Sequence, residues 1–297
     1  MKQFRNPIVP NNSSKGVGTS DPYVIKYSGK YYHCYSRSDG VYVSVCDDIS
    51  ELESARRVRV YSSAPNAIGG NWYAPELHMI NGRWYIYGAP IFNDNGSHCM
   101  MVLRATEDDP MCQYENIGMI DPIDGKYNLD GTVFEHGGSY YFVWSSGYKL
   151  HIARMLSPTR LESKIETICE ASLPFETLTG PVCEGPQVLK RNGKIHIVYS
   201  ANDSKDDSYC LGRITYSGGD ITNPLSWQKY GEAIFKCTDE IFGPGHCSFV
   251  EGDDENDVYV IYHANLESGT GWLGRHIFSQ KIDWDRDDNP ILGAPHF

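Results

Sequence analysis

Apolar and polar positions along this chain fall into a unit that recurs five times. Four segments align directly: DPYVIKYSGKYYHCYS (21–36), APELHMINGRWYIYGA (74–89), DGTVFEHGGSYYFVWS (130–145) and GPQVLKRNGKIHIVYS (185–200). A fifth, GHCSFVEGDDENDVYVIYHA (245–264), carries a longer turn. The aligned glycines Gly29, Gly82, Gly138 and Gly193 lie 53, 56 and 55 residues apart. Each unit reads as strand, tight turn, strand, because S-G-K, N-G-R, G-G-S and N-G-K are hairpin turns flanked by β-branched and aromatic runs. Further strand-like runs separate the units: VYVSVC (41–46), MMVLRAT (100–106), LHIARM (150–155) and CLGRITY (210–216). That makes about four strands per unit.

Helical patterning is scarce, the best stretch being DISELESARR (48–57). Five four-stranded units at this period predict an all-β protein, a five-bladed β-propeller, with residues 1–297 forming one domain. The composition of 21 Tyr, 6 Trp, 10 Phe, 29 Gly and 16 Pro fits short strands joined by tight turns.

In a propeller the first strand of each blade lines the central channel. The repeat alignment places Asp21, Ala74, Asp130, Gly185 and His246 at one equivalent position, with Glu184 one residue earlier in its unit and Glu76 two residues after Ala74. Any one of these acids could be a turn or cap residue; Asp21 could simply cap the turn before Pro22. Several at equivalent positions would converge on one end of the channel. Like charges in a dry cleft repel, so such a cluster points to cation binding or acid–base chemistry. Trp72, Tyr73, Trp144, Tyr148 and Trp272 lie near the same units, and aromatic rings beside acidic groups suit a sugar ring, with Trp72 and Trp144 as candidate stacking floors.

A net charge of -12 makes nucleic acid an unfavourable partner. No run of 18 apolar residues suggests a membrane span, and the N-terminal MKQFRNPIVP has no apolar leader. Nine scattered cysteines without a C-x-x-C pair suggest free thiols, and with the N-terminus a cytoplasmic location. No G-x-S-x-G, H-E-x-x-H or P-loop motif occurs.

The segments DPYV (21–24), NWYAPELH (71–78), LDGTVF (129–134), CEGPQV (183–188) and GPGHCSF (243–249) resemble glycoside hydrolase family 43, in order and over nearly the whole chain. The resemblance implies an inverting glycosidase with Asp21 as general base, Glu184 as general acid and Asp130 raising the pKa of that acid. It places Arg275 and Gln280 near the sugar pocket, so that Arg275 joins Trp72, Ala74, Glu76 and Trp144 as candidate substrate contacts. It places His246 in the channel, where calcium is an expected ligand, and requires no cofactor otherwise. The partner is a carbohydrate containing arabinose or xylose. The APELH and GPGHCSF segments are similar to exo-acting α-L-arabinofuranosidases. A β-xylosidase is the alternative, although the β-sandwich domain that many β-xylosidases carry is not expected here. An endo-arabinanase and a non-catalytic carbohydrate-binding propeller are further alternatives. Cys183 and Cys247 are expected to pack behind the channel wall.

Overall fold

The structure is a computed structural model, and it describes residues 5–11, 18–64, 67–92, 97–123, 127–254 and 256–297. Five of its antiparallel sheets are arranged as blades, and Asp283–Trp284 and Pro290–Ile291 pair in a separate two-stranded sheet. Blade one runs Tyr23–Tyr27, Lys30–Arg37, Gly40–Cys46 and Arg56–Ser62; blade two runs Tyr73–Ile80, Arg83–Ala89, Met101–Ala105 and Tyr114–Met119. Blade three runs Asn128–His136, Ser139–Ser146, Lys149–Ser157 and Glu166–Glu170, the last pairing with the third strand. Blade four runs Cys183–Arg191, Lys194–Ala201, Cys210–Tyr216 and Trp227–Lys229; blade five runs Phe242–Glu251, Val258–Asn265 and Arg275–Lys281. The first strands touch one another in sequence and close from blade five back to blade one, which makes the ring.

The expected hairpins follow from left-handed backbone at their turns. Ser28 and Gly29, Asn81 and Gly82, Gly137 and Gly138, and Asn192 and Gly193 all have positive φ. Two consecutive positive-φ residues twist a two-residue loop to match the strands it joins. The stretch 48–57 is helical only over Ile49–Ser54, a 3-10 turn capped by the Asp48 carboxylate accepting from Ser50 N at 2.9 Å. Arg56 and Arg57 instead open blade one's outer strand.

Five hydrophobic clusters fill the structure, one between each pair of neighbouring blades. Tyr32, Val43 and Val60 of blade one meet Trp72, Leu77 and Trp84 of blade two. Phe134, Val143 and Ile152 of blade three meet Ile195, Ile197 and Tyr199 of blade four. Each sheet is therefore apolar on both faces, which explains the near-continuous apolar runs in the second strands. Among the described residues no helix is long and apolar enough to cross a membrane.

Among the described residues blade five has three strands, and the N-terminal segment adds to its outer edge. Val9 exchanges backbone hydrogen bonds with Ile277 at 3.2 and 2.9 Å. Asn6 accepts from Ser279 N at 2.9 Å and donates to Ser279 O at 2.8 Å and His296 O at 3.0 Å. Ile8 and Val9 join the core between blades five and one. Replacing Asn6 by Ala strands buried backbone groups, so Asn6→Ala is expected to lower stability by about 2 kcal/mol; urea unfolding followed by fluorescence measures it, and an unchanged midpoint contradicts this account of ring closure.

Candidate active site

The five equivalent residues at the heads of the inner strands share one unusual backbone conformation. Asp21 has φ 50°, Ala74 41°, Asp130 57°, Gly185 54° and His246 42°. In blades two to five the strand register shifts at this point, between Tyr73 and Glu76, Leu129 and Thr132, Glu184 and Gln187, and Gly245 and Ser248. These are β-bulges with a left-handed residue, which bend the strand and re-aim its side chains. Four of the five carry a Cβ in a conformation that favours glycine, a strain of about 1–2 kcal/mol each. Blade four uses glycine because a Cβ at Gly185 would sit 3.1 Å from His246 Nδ1.

The bulges bring Asp21, Asp130, Glu184, His246 and Arg275 together. Asp21 Oδ1 lies 3.3 Å from Arg275 Nη1 and 3.3 Å from His246 Nδ1. His246 Nδ1 is also 4.0 Å from Asp130 Oδ2, and that oxygen accepts the Gly185 N–H at 3.1 Å. Glu184 Oε1 accepts from Tyr209 Oη at 2.8 Å. Hydrogen bonds between blades hold the ring's geometry: His246 N donates to Ser200 Oγ at 2.8 Å and Val24 N to Ser248 Oγ at 3.1 Å.

The charges are unequally shared. Burial works to lower the His246 pKa, but the Asp21, Asp130 and Glu184 carboxylates outweigh it and raise it. Burial pushes Asp130 up to about 8, with Glu184 and Asp21 adding to the rise while His246 and the Gly185 N–H oppose it. Burial likewise raises Glu184, assisted by Asp21 and opposed by Tyr209, His246 and Arg275. Desolvation leads the rise at Glu184, with Asp21 adding to it, and Glu184 in turn raises Asp130. The neighbouring carboxylates raise the His246 imidazole at the position where the resemblance implies calcium.

Two residues of the site had no motif to announce them. His263, on blade five's second strand, has its Nδ1 3.2 Å from the Asp21 N–H and accepts from it, which fixes a neutral ring with the proton on Nε2. Burial and the neighbouring Arg275 and His246 cations depress its pKa accordingly. Its ring stacks on Tyr209 at 5.8 Å and 4°. Both lie off the repeat position, so only the folded ring reveals them.

Other expected contacts are rearranged. Trp72 is buried in the core, its indole N–H donating to Gly69 O at 3.0 Å and its ring meeting Tyr61 edge-on. Trp144 is buried too, donating to Asn128 Oδ1 at 3.1 Å and stacking on Phe142. Neither offers a free ring face, because a large apolar ring on a blade face is claimed by the adjacent blade. Exposed rings instead flank the site. Tyr73 precedes Ala74, the Tyr148 carbonyl accepts the Cys183 N–H, and Trp272 donates to Ser204, whose carbonyl receives Arg275 Nη2 at 3.0 Å. Glu76 sits deeper, 2.8 Å from His78 Nε2 and bonded to Gln187 Nε2, so it braces the channel. Gln280 donates to Leu292 O at 2.6 Å and Ala294 O at 3.3 Å, pinning the C-terminal segment away from the site. Ala74 is buried, its methyl standing where blades one and three carry a carboxylate. Cys183 and Cys247 pack between blades as expected.

The family described as Glycosyl hydrolases family 43 matches residues 4–290. The chain is 31% identical over 314 residues to an alpha-L-arabinofuranosidase B of Pyricularia oryzae, covering 98% of this chain and 64% of that protein. It is 28% identical over 313 residues to a Streptomyces avermitilis protein named extracellular exo-alpha-(1->5)-L-arabinofuranosidase, covering 98% of this chain and 63% of the relative. The chain thus spans less than two thirds of the length of these relatives. The crystal structure of an alpha-L-arabinofuranosidase from Lactobacillus brevis matches with a TM-score of 0.89 at 29% identity, over 99% of this chain and 97% of that one.

The extracellular Streptomyces relative overturns the cytoplasmic expectation. The cysteine argument behind that expectation fails for a physical reason. Seven of the nine thiols are buried, where a free thiol packs as a small hydrophobe in any compartment, so their number carries no sign of location.

The Tyr209 hydroxyl stabilises the ionised form of Glu184. Removing it in Tyr209→Phe is therefore expected to move the Glu184 titration further upward. Side-chain carboxyl NMR of glutamate-labelled protein reads this; a downward move contradicts the assignment of the hydrogen bond.

Proposed function

The chain belongs to glycosyl hydrolases family 43, and from that premise we propose that it removes terminal α-L-arabinofuranose from arabino-oligosaccharides or arabinan-type chains with inversion at the anomeric carbon. The observation that carries this reading is the contrast between two carboxylates. Asp21 faces Arg275 and His246, while Glu184 is raised by burial and accepts from the neutral Tyr209 hydroxyl at 2.8 Å. A carboxylate beside two cations suits a base, and one whose ionisation is disfavoured suits an acid.

In the proposed displacement Asp21 takes a proton from water as the water oxygen attacks the anomeric carbon. Glu184 gives its proton to the departing oxygen on the opposite face of the sugar. Inversion needs the two carboxyl groups about 6.5–9.5 Å apart so that a water fits between, a gap that facing walls of a propeller channel suit. Asp130, held by the Gly185 N–H and close to His246, orients the sugar and shares in the proton balance of the cluster. Arg275 holds Asp21 in its productive direction, and the exposed rings of Tyr148 and Trp272 flank the sugar's approach. The names of the Pyricularia oryzae and Streptomyces avermitilis relatives favour arabinofuranose over xylose, and the latter favours removal from a chain end.

Purified protein offered aryl α-L-arabinofuranoside and aryl β-D-xyloside side by side is expected to release the aryl group from the arabinofuranoside. Preference for the xyloside would move the assignment to β-xylosidase. Asp21→Ala and Glu184→Ala are each expected to lower kcat by about two orders of magnitude or more with folding intact. Glu184→Ala should lose less on activated aryl leaving groups than on natural linkages, since a good leaving group needs little protonation. Full activity in folded Glu184→Ala would refute its role.

A further inference from the structure

Outside the channel, one buried cluster of chemically active side chains has no part in the proposed displacement. Cys169, Glu176 and Cys183 place their ligand atoms within 4.8 Å of one another. A metal reading fails on satisfaction. Glu176 Oε1 accepts from Tyr199 Oη and from Lys229 Nζ at 2.8 Å, and Oε2 accepts from Ser172 N at 2.7 Å, Leu173 N at 2.7 Å and Lys229 Nζ at 3.0 Å. Its oxygens have no lone pair left for an ion, and Lys229 already fills the cationic position.

What remains is the pair of thiols, with Cys169 Sγ 3.8 Å from Cys183 Sγ. Cys169 lies on the outer strand of blade three and Cys183 opens the inner strand of blade four. Both are anchored on one stretch of backbone: Cys169 pairs opposite Leu150, and the Cys183 N–H donates to Tyr148 O at 3.0 Å. We propose that Cys169 and Cys183 are a disulfide-forming pair that staples blade three to blade four beside Glu184 when a small two-electron oxidant such as hydrogen peroxide reaches them.

The hydrogen bond between the two thiols holds the Cys169 pKa below the ordinary thiol range, and the Lys229 ammonium assists against burial. Cys169 is therefore the attacking sulfur. It attacks one peroxide oxygen, the O–O bond breaks, and Cys169 becomes a sulfenic acid with release of water. The Cys183 sulfur then displaces the sulfenic hydroxyl, which leaves as a second water with the Cys183 proton. The two thiols lose two electrons and the peroxide gains them. Both thiols are buried, so a small oxidant fits better than a bulky disulfide.

The test treats the whole protein with hydrogen peroxide, caps remaining thiols with N-ethylmaleimide under denaturing conditions, and maps peptides. The expected product is a linked pair containing Cys169 and Cys183, with Tm raised by about 5 °C for a loop of this length. Dithiothreitol should reverse both changes. Cys169→Ser should abolish them, while Cys237→Ser, at an exposed thiol, should leave them intact. Maleimide on both Cys169 and Cys183 after peroxide treatment overturns the proposal, as does sulfinic acid at either or a bond to another cysteine. The wild-type map decides the matter even if Cys169→Ser folds poorly.

Discussion

The arrangement depends on one backbone constraint repeated around the ring. Each inner strand enters the channel through a residue in left-handed conformation: Asp21, Ala74, Asp130, Gly185 and His246. Five strands converging on one axis leave little room, and a bulge with a left-handed residue turns each strand while aiming a side chain at the axis. The strain is held in place by bonds between neighbouring blades, such as Gly185 N to Asp130 and His246 N to Ser200. Strain maintained in this way at equivalent points of a repeat is typical of a pre-organised site.

Once the acids are gathered, electrostatics divides their roles. Arg275 and His246 face Asp21, while burial disfavours charge on Asp130 and Glu184. His263 stays neutral because it accepts the Asp21 N–H in a buried position next to two cations. The channel thus holds groups of opposite proton demand within a few side chains of each other, on walls that five apolar interfaces keep rigid.

Much of this was legible in the chain. Glycine spacing gave the blades, and the turn chemistry at Asn81-Gly82 and Asn192-Gly193 gave their hairpins. The repeat register put Asp21, Asp130, Glu184 and His246 at one end of the channel, because equivalent residues in a cyclic repeat face the same axis. Legibility failed where a residue's environment comes from another blade. Trp72 and Trp144 stand near site residues in sequence, yet the adjacent blades claim their rings. Gln280 falls on the correct strand but binds the C-terminal segment instead of the site. The cysteines looked like a sign of compartment, and only burial shows why their number says little.

The sequence by itself determined the architecture and the identity of the channel acids, since both follow from periodicity, which is a local property of the chain. Tertiary structure decided which acid faces Arg275 and His246 and which accepts from the Tyr209 hydroxyl, because Arg275, Tyr209 and His263 come from strands and loops that no periodic pattern aligns with Asp21 or Glu184. It also decided that the N-terminal segment closes the ring, and that two cysteines from different blades meet at 3.8 Å. Proton affinity and contact across blades depend on distances in space, and those exist only after the ring has closed.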